Sequence, residues 1–506
     1  MNMKKNKILP LLLLVCLLAS MLIPAAFAVP GEEPTESAVA EDSYAGAGLV
    51  EAPTLTANAA LLVDMDSDVV YFSRHAEETA YPASLTKIMT VLLAVEAIER
   101  GDVSLKDEVT AQSDCLAGLD EESSTASIVP GEVMTLENYL YCAMVSSANE
   151  ACNVIGSYLS GSISAFVELM NERAEQLGCT GTHYVNTHGM PDDNHYTTAM
   201  DLYRITAEAM QHELFATLCN TVTRTVPATN KHDTRELQNT NGLINSDSPV
   251  YPGYFYDYAF GVKTGHTSAA GYCLVSTAQK DGIRLLCVVL GSDAKTRANG
   301  TTEFCSFTDT LALYNWLYGN FSRRDIVSDT ELICDVPVEL GSDADSVTVR
   351  AQNSIAAVLP NSDDLAAYTR SVVIYSERDG TALRAPVAAG DVLGEITVEK
   401  DGVVYGSAPL VAAVEVELSH GAFLRSGLRA FFGHPVVIAI LLVIALVIAA
   451  YIVLLVRYNR RRKARRHAMQ NAQHNAALRR ERQAQNAVLD EFRAEEEATA
   501  GRRPDQ

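Results

Sequence analysis

An α+β domain on a mostly antiparallel sheet, then a small all-β domain, then one membrane-crossing helix: this is the architecture that the 506-residue sequence predicts. Three observations predict it. Between residues 55 and 325, apolar strand patterns stand at both ends with helical periodicity between them. From residue 326 to 418 the pattern changes to short alternating runs separated by Gly, Asp and Asn. Residues 436–456 then run for 21 positions without a charge, long enough to cross a bilayer as a helix.

The elements follow in chain order. Residues 1–28 read as a secretory signal: Lys4, Lys5 and Lys7 precede the apolar run Ile8–Ile23, and Ala26-Phe27-Ala28 supplies a small-x-small cleavage site near Ala28. Residues 29–54 are acidic and poor in large apolar groups, which predicts a flexible linker. A strand pair is expected at Ala59–Val63 and Val69–Phe72 around the turn Asp64–Asp68. Helices dominate from Leu85 to about Met210, strands return at Phe260–Lys263, Tyr272–Ala278 and Leu285–Leu290, and a helix near Glu303–Leu317 closes the unit. In the all-β part, strands are expected at Glu331–Val336, Ser346–Ala351, Ser371–Tyr375, Val392–Val398 and Val403–Ala408. Val436–Val456 is the span. Arg457, Arg460, Arg461, Arg462, Lys463, Arg465 and Arg466 follow it at once, so the helix-prone tail, 457–506, is expected in the cytoplasm and the bulk of the chain outside.

Charge excludes one class of partner. The chain carries −24 in total. Residues 457–506 hold 13 basic and 7 acidic side chains and the signal adds three lysines, which leaves −33 on residues 29–456. So acidic an exterior argues against nucleic acid. Ten cysteines in a chain this large, with no C-x-x-C pair, read as buried small hydrophobes, as in Tyr272-Cys273-Leu274 and Leu286-Cys287-Val288.

A serine hydroxyl is a poor nucleophile until a base lies within hydrogen-bond reach. Ser84-Leu85-Thr86-Lys87 sets a lysine one helical turn after a serine, on the same face. Leu85, Ile88, Met89, Leu92 and Leu93 form an apolar stripe behind it, so Ser84 opens a buried helix whose N-terminal amides favour negative charge. That spacing is not specific by itself. Ser292-Asp293-Ala294-Lys295 repeats it after a strand, where a surface loop is the expectation. Two further motifs single out Ser84: Ser147-Ala148-Asn149, beside apolar helical segments, and Lys263-Thr264-Gly265, on the apolar strand Ala259-Phe260-Gly261-Val262. In this order, S-x-x-K, S-x-N and K-T-G form the signature of penicillin-binding proteins and class A β-lactamases.

The stretch Tyr81–Thr90 resembles the low-molecular-weight D-alanyl-D-alanine carboxypeptidases, the S11 serine peptidases. So do Asn186-Thr187-His188-Gly189-Met190, the segment His195–Leu202, Asn239-Thr240-Asn241, Ala385-Pro386-Val387 and Pro409–Ala412. The resemblance covers residues 55–418. It implies a penicillin-recognising, β-lactamase/transpeptidase-like catalytic fold over 55–325 and a small β-sandwich over 326–418. It further implies that Ser84 attacks the D-Ala-D-Ala carbonyl with Lys87 as general base. Ser147 would relay a proton to the leaving D-alanine, and Asn149 would orient Lys87 and the substrate amide. Lys263 and Thr264, with Gly265 and His266 beside them, would grip the terminal carboxylate. The backbone N–H groups of Ser84 and His266 would form the oxyanion hole. The implied partners are a peptidoglycan stem peptide ending in D-Ala-D-Ala, β-lactams as inhibitors, and a membrane held through the C-terminal helix, where the family more commonly ends in an amphipathic helix on the membrane surface.

No cofactor is expected. His183, His188 and His195 lack the spacing of a compact metal site, and serine chemistry needs no metal. Two rivals remain on the sequence. A class A β-lactamase needs a deacylating glutamate with asparagine four residues on, and Glu168…Asn171 is one residue short. A catalytically silent peptidoglycan-binding scaffold would tolerate degraded motifs, and none is degraded here.

Overall fold

The computed structural model describes residues 42–44, 49–121 and 123–499. The expected signal and cleavage site, the linker apart from 42–44 and 49–54, and tail residues 500–506 lie outside the described residues. The chain divides into two compact units. One takes the described residues up to Ile326 together with Ala356–Thr369; the other takes Val327–Ile355 and Arg370 onward.

The first unit is built on a six-stranded sheet. Its strands are β1 (Asp42–Tyr44), β2 (Ala59–Asp64), β3 (Val70–Arg74), β4 (Ala259–Thr267), β5 (Gly271–Lys280) and β6 (Ile283–Ser292). Every pairing is antiparallel, in the spatial order β1-β3-β2-β6-β5-β4. β1 falls inside the expected flexible linker and is a correction to it. Its backbone groups pair with Phe72, Ser73 and Arg74 of β3, and ladder bonding needs no apolar sequence. Tyr44 also sets its ring edge-on to Trp316, with centroids 6.1 Å apart.

Helices cover both faces of this sheet. They are α1 (Lys87–Glu99), α2 (Leu136–Met144), α3 (Asn149–Ser160), α4 (Ile163–Gln176), α5 (Ala199–Ala209), α6 (Glu213–Cys219) and α7 (Cys305–Asn320). Alternation along the strands assigns the faces. Leu61 and Val63 join Val275, Leu286 and Val288 in the core under α1 to α6. Ala60, Leu62, Cys287 and Val289 pack with Leu313, Tyr314 and Leu317 of α7 on the other face. β2 is therefore buried along its whole length, which explains its unbroken apolar run. α1 goes further than the expected stripe: ten of its residues are buried, all round the helix.

In the second unit the strands are β7 (Leu332–Glu339), β8 (Ser346–Ala351), β9 (Thr369–Ile374), β10 (Leu383–Arg384), β11 (Val392–Lys400) and β12 (Val403–Ala412). They form one sheet in the order β9-β11-β12-β8-β7-β10. Val347, Val349 and Ala351 are buried while Ser346, Thr348 and Arg350 stand half out, the period of two that the sequence displays. Beyond the sheet, helix α8 (His420–Gly433) is capped by the Ser419 hydroxyl, which accepts from the Ala422 N–H. Pro435 then opens α9, which runs unbroken to Thr499. Its first 21 or so residues are apolar and exposed on every side, and at 1.5 Å per residue they cover about 31 Å. This is one helix long and apolar enough to cross a membrane. The nine cysteines described carry free thiols, eight of them buried.

A single carboxylate ties the start of β2 to α7. Buried Asp309 accepts from the Thr56 and Ala57 N–H groups and from the Thr56 and Ser292 hydroxyls, at 2.9–3.2 Å. Asp309→Ala strands these donors in a dry site, so thermal unfolding should show a loss of about 3 kcal/mol, whereas Asp309→Asn should recover part of it.

Candidate active site

Ser84 and Lys87 are brought together by a change of helical pitch. Ala83–Thr86 wind as a 3₁₀ turn, in which the Leu85 N–H donates to the Pro82 carbonyl, and the chain passes into α1 at Lys87. The expected α-helical start at Ser84 is corrected to this tighter turn. Its consequence is geometric, because residues i and i+3 eclipse in a 3₁₀ turn. Lys87 Nζ lies 2.6 Å from Ser84 Oγ. Ala83 has φ 49°, a left-handed value that costs a residue with a Cβ about 1 kcal/mol.

The segment Asn186–Met190 holds this turn in place. Lys87 Nζ donates to the His188 carbonyl at 3.0 Å, and the Thr90 hydroxyl donates to the Thr187 carbonyl at 2.6 Å. Gly189, at φ +94°, lies against the Ala83 carbonyl so closely that a Cβ there would sit 1.7 Å from its oxygen. Below it, the Thr86 hydroxyl donates to the same Ala83 carbonyl and lies 2.8 Å from His195 Nε2. The Val185 N–H donates to His195 Nδ1, so Nε2 carries the ring proton and donates to Thr86. Burial pushes His195 down to about 4, which keeps it neutral. His188 is pushed down to about 3, first by burial and then by the Lys87 charge.

Ser147–Asn149 form the turn that opens α3. Ser147 is left-handed at φ 60°, and the Ala148 N–H donates to the Cys142 carbonyl. Ser147 Oγ and Asn149 Oδ1 are both buried and without a hydrogen-bond partner in the protein. Lys263 and Thr264 lie on β4, opposite Val275 and Leu274 of β5. Gly265 brings β4 against the Ser84 turn: a Cβ there would lie 3.2 Å from the Ser84 nitrogen. The His266 ring stacks on Tyr272 at 4.1 Å. Thr240 joins the second and third motifs. Its N–H donates to the Val145 carbonyl just before Ser147, and its hydroxyl lies 2.6 Å from that of Thr264.

Electrostatics separate the two lysines from ordinary ones. Burial lowers Lys87 to about 8, against smaller upward contributions from Cys152 and Glu150. Burial, followed by the charge of Lys87, pushes Lys263 well below its ordinary value. Lys263 is a buried amine whose charged form an arriving anion would favour. The site can thus present an uncharged amine to a hydroxyl, beside unpartnered buried groups and a second amine. That is equipment for acyl transfer.

The remaining candidates separate from this cluster. Ser292 is not in a surface loop: it is buried at the end of β6 and donates to Asp309, while Lys295 is exposed. Glu168 is exposed on α4, and Asn171 is used up structurally, donating to the Tyr184 carbonyl and accepting from the Tyr184 N–H. Among the described residues one group could hold a metal by spacing: Glu96, Glu208 and His212. Arg173 already bridges those two carboxylates at 2.6 and 2.7 Å. Glu150, Thr240 and the Thr86–His195 pair carried no role in the sequence reading. The only signal for the last two was that Asn239–Asn241 and His195–Leu202 stand among the stretches of family resemblance.

Two family models match the chain: D-alanyl-D-alanine carboxypeptidase over residues 47–294, and the C-terminal domain of penicillin-binding protein 5 over 321–418. D-alanyl-D-alanine carboxypeptidase DacF of Bacillus subtilis is 26% identical over 362 residues, 71% of this chain and 86% of DacF. DacA of Escherichia coli is 28% identical over 374 residues, 72% of this chain and 84% of its own. Among solved structures, penicillin binding protein 5 from Haemophilus influenzae superposes with a TM-score of 0.52 at 27% identity, covering 73% of this chain and 99% of that one.

The contact at Gly189 yields a test. Gly189→Ala forces the Ala83 carbonyl away and strains a left-handed position, which should cost about 3 kcal/mol or more in thermal unfolding. In whatever fraction folds, covalent labelling of Ser84 by a fluorescent β-lactam should slow at least tenfold.

Proposed function

The chain belongs to the D-alanyl-D-alanine carboxypeptidases of peptidase family S11, the low-molecular-weight penicillin-binding proteins, and from that premise we propose which residues carry out its reaction. It is a serine-type D-Ala-D-Ala carboxypeptidase, whose family implies a peptidoglycan stem peptide as substrate and β-lactam binding. One observation carries the assignment: Lys87 Nζ stands 2.6 Å from Ser84 Oγ, and burial brings that amine down to about 8.

Uncharged Lys87 takes the Ser84 proton as Oγ attacks the carbonyl carbon of the D-Ala-D-Ala bond. The Ser84 and His266 N–H groups receive the oxyanion. The C–N bond breaks, and the proton passes from Lys87 through Ser147 to the departing amine. The orphan Ser147 hydroxyl supports that relay, since it has no competing bond in the free protein. Asn149 presents its unpartnered oxygen to the substrate amide. Lys263 and Thr264, with Gly265 keeping the strand close, bind the terminal carboxylate, whose charge supports protonated Lys263. Water then attacks the acyl-enzyme, releasing the shortened stem and restoring Ser84. A β-lactam acylates the same oxygen. Loss of the terminal D-alanine removes a donor for cross-linking, so the reaction would regulate wall cross-linking.

The β-lactamase alternative finds no support, because Glu168 is exposed and Asn171 is committed to Tyr184. A silent scaffold finds none either, since the Ser84–Lys87 pair is intact. We place the catalytic unit outside the cell, after removal of the N-terminal signal. The apolar start of α9 would cross the membrane and its basic continuation would lie in the cytoplasm.

Ser84→Ala should abolish both the labelled-penicillin adduct and D-alanine release, read by mass spectrometry of a pentapeptide muropeptide. D-alanine release that persists in this variant would overturn the mechanism. Protease added to intact spheroplasts should leave a protected fragment containing α9 and the tail; complete digestion of the tail would overturn the topology.

A further inference from the structure

Glu150 is fully buried at the second position of α3, next to Asn149. Its Oε1 accepts three hydrogen bonds from one loop: the Thr125 hydroxyl at 2.6 Å, the Ala126 N–H at 2.7 Å and the Ile128 N–H at 3.2 Å. One residue away, the Asn149 N–H donates to the Ser124 carbonyl at 2.9 Å. Four hydrogen bonds therefore stitch Ser124–Ile128 to the first turn of α3, and Ser127 adopts φ 59° to make the fit. α3 has no side-chain cap, because Ala148 stands at its N-cap position. The loop and the Glu150 carboxylate do the capping instead, the latter with the sign that a helix N-terminus favours. Glu150 Oε2 has no partner.

We propose that Glu150 is a positioning residue for the acylation reaction: it locks the Ser147–Asn149 turn from behind through the 124–128 loop.

The proposal rests on Lys87 being the base, and the test separates the two. In the full-length protein, the second-order rate of acylation by benzylpenicillin is followed from pH 5 to pH 10. Wild type should show an acid limb that rises with pH, as Lys87 loses its proton. Glu150→Gln keeps an amide oxygen for the loop donors, so its plateau rate should stay within about threefold of wild type. Glu150→Ala loses the stitching, and its plateau rate should drop more than tenfold. A Glu150→Ala plateau equal to wild type, or a Glu150→Gln plateau as low as that of Glu150→Ala, overturns the positioning role. A wild-type rate flat across the range would instead sink the base assignment. Should Glu150→Ala fail to fold, Glu150→Gln together with Thr125→Val, which deletes one loop donor and should lower the plateau, decides the matter.

Discussion

Burying the amine of Lys87 is the constraint around which the catalytic unit is arranged. A fully charged ammonium in a dry interior is expensive, and an amine with unmet hydrogen bonds is little better. The protein answers with two oxygens at fixed places, Ser84 Oγ at 2.6 Å and the His188 carbonyl at 3.0 Å, and by letting the proton leave more easily than usual. Each answer makes demands elsewhere. Ser84 has to be eclipsed over Lys87, hence the 3₁₀ turn and left-handed Ala83. His188 has to offer its carbonyl inward, hence a neighbour at residue 189 with no side chain at all.

That arrangement is rigid because its supports are themselves saturated. Thr86 holds the Ala83 carbonyl and is held by His195, which is held by the Val185 N–H. Asn153 accepts from the Thr187 hydroxyl and donates to the Cys115 and Ala117 carbonyls. Ser147 Oγ and Asn149 Oδ1 are among the buried atoms left without a partner. Unpaired polar atoms beside a reactive pair are where a substrate gains the most by binding. The strained residues Ala83 and Ser147 stand beside the same cluster, as expected where packing over-determines the backbone.

The two ends of the chemistry fit one another. Burial and the charge of Lys87 push Lys263 below its ordinary value, and a carboxylate beside it would favour the charged form. A helix apolar and exposed over its first 21 or so residues, at the other end of the chain, suits a protein that works on a wall built beside a membrane.

Much of this was legible in the residues alone. The α+β order, the sheet's central strands, the alternation of β8 and the uncharged span of α9 all follow from periodicities that burial imposes locally. So does the triplet of motifs, because each is a short spacing on one element. Other features were not legible. The strand at 42–44 forms from backbone pairing, which leaves no apolar trace. The 3₁₀ winding at Ser84, the contact of Gly189 with Ala83 and the bridge from Thr240 to Thr264 depend on segments about 20 to 100 residues apart. The sequence by itself determined that Ser84 and Lys87 would share a face at the start of a buried helix. Only the tertiary structure decided what the lysine does there, because proton affinity depends on the dielectric and charges around an amine, and those come from α3, β4 and the 186–190 segment.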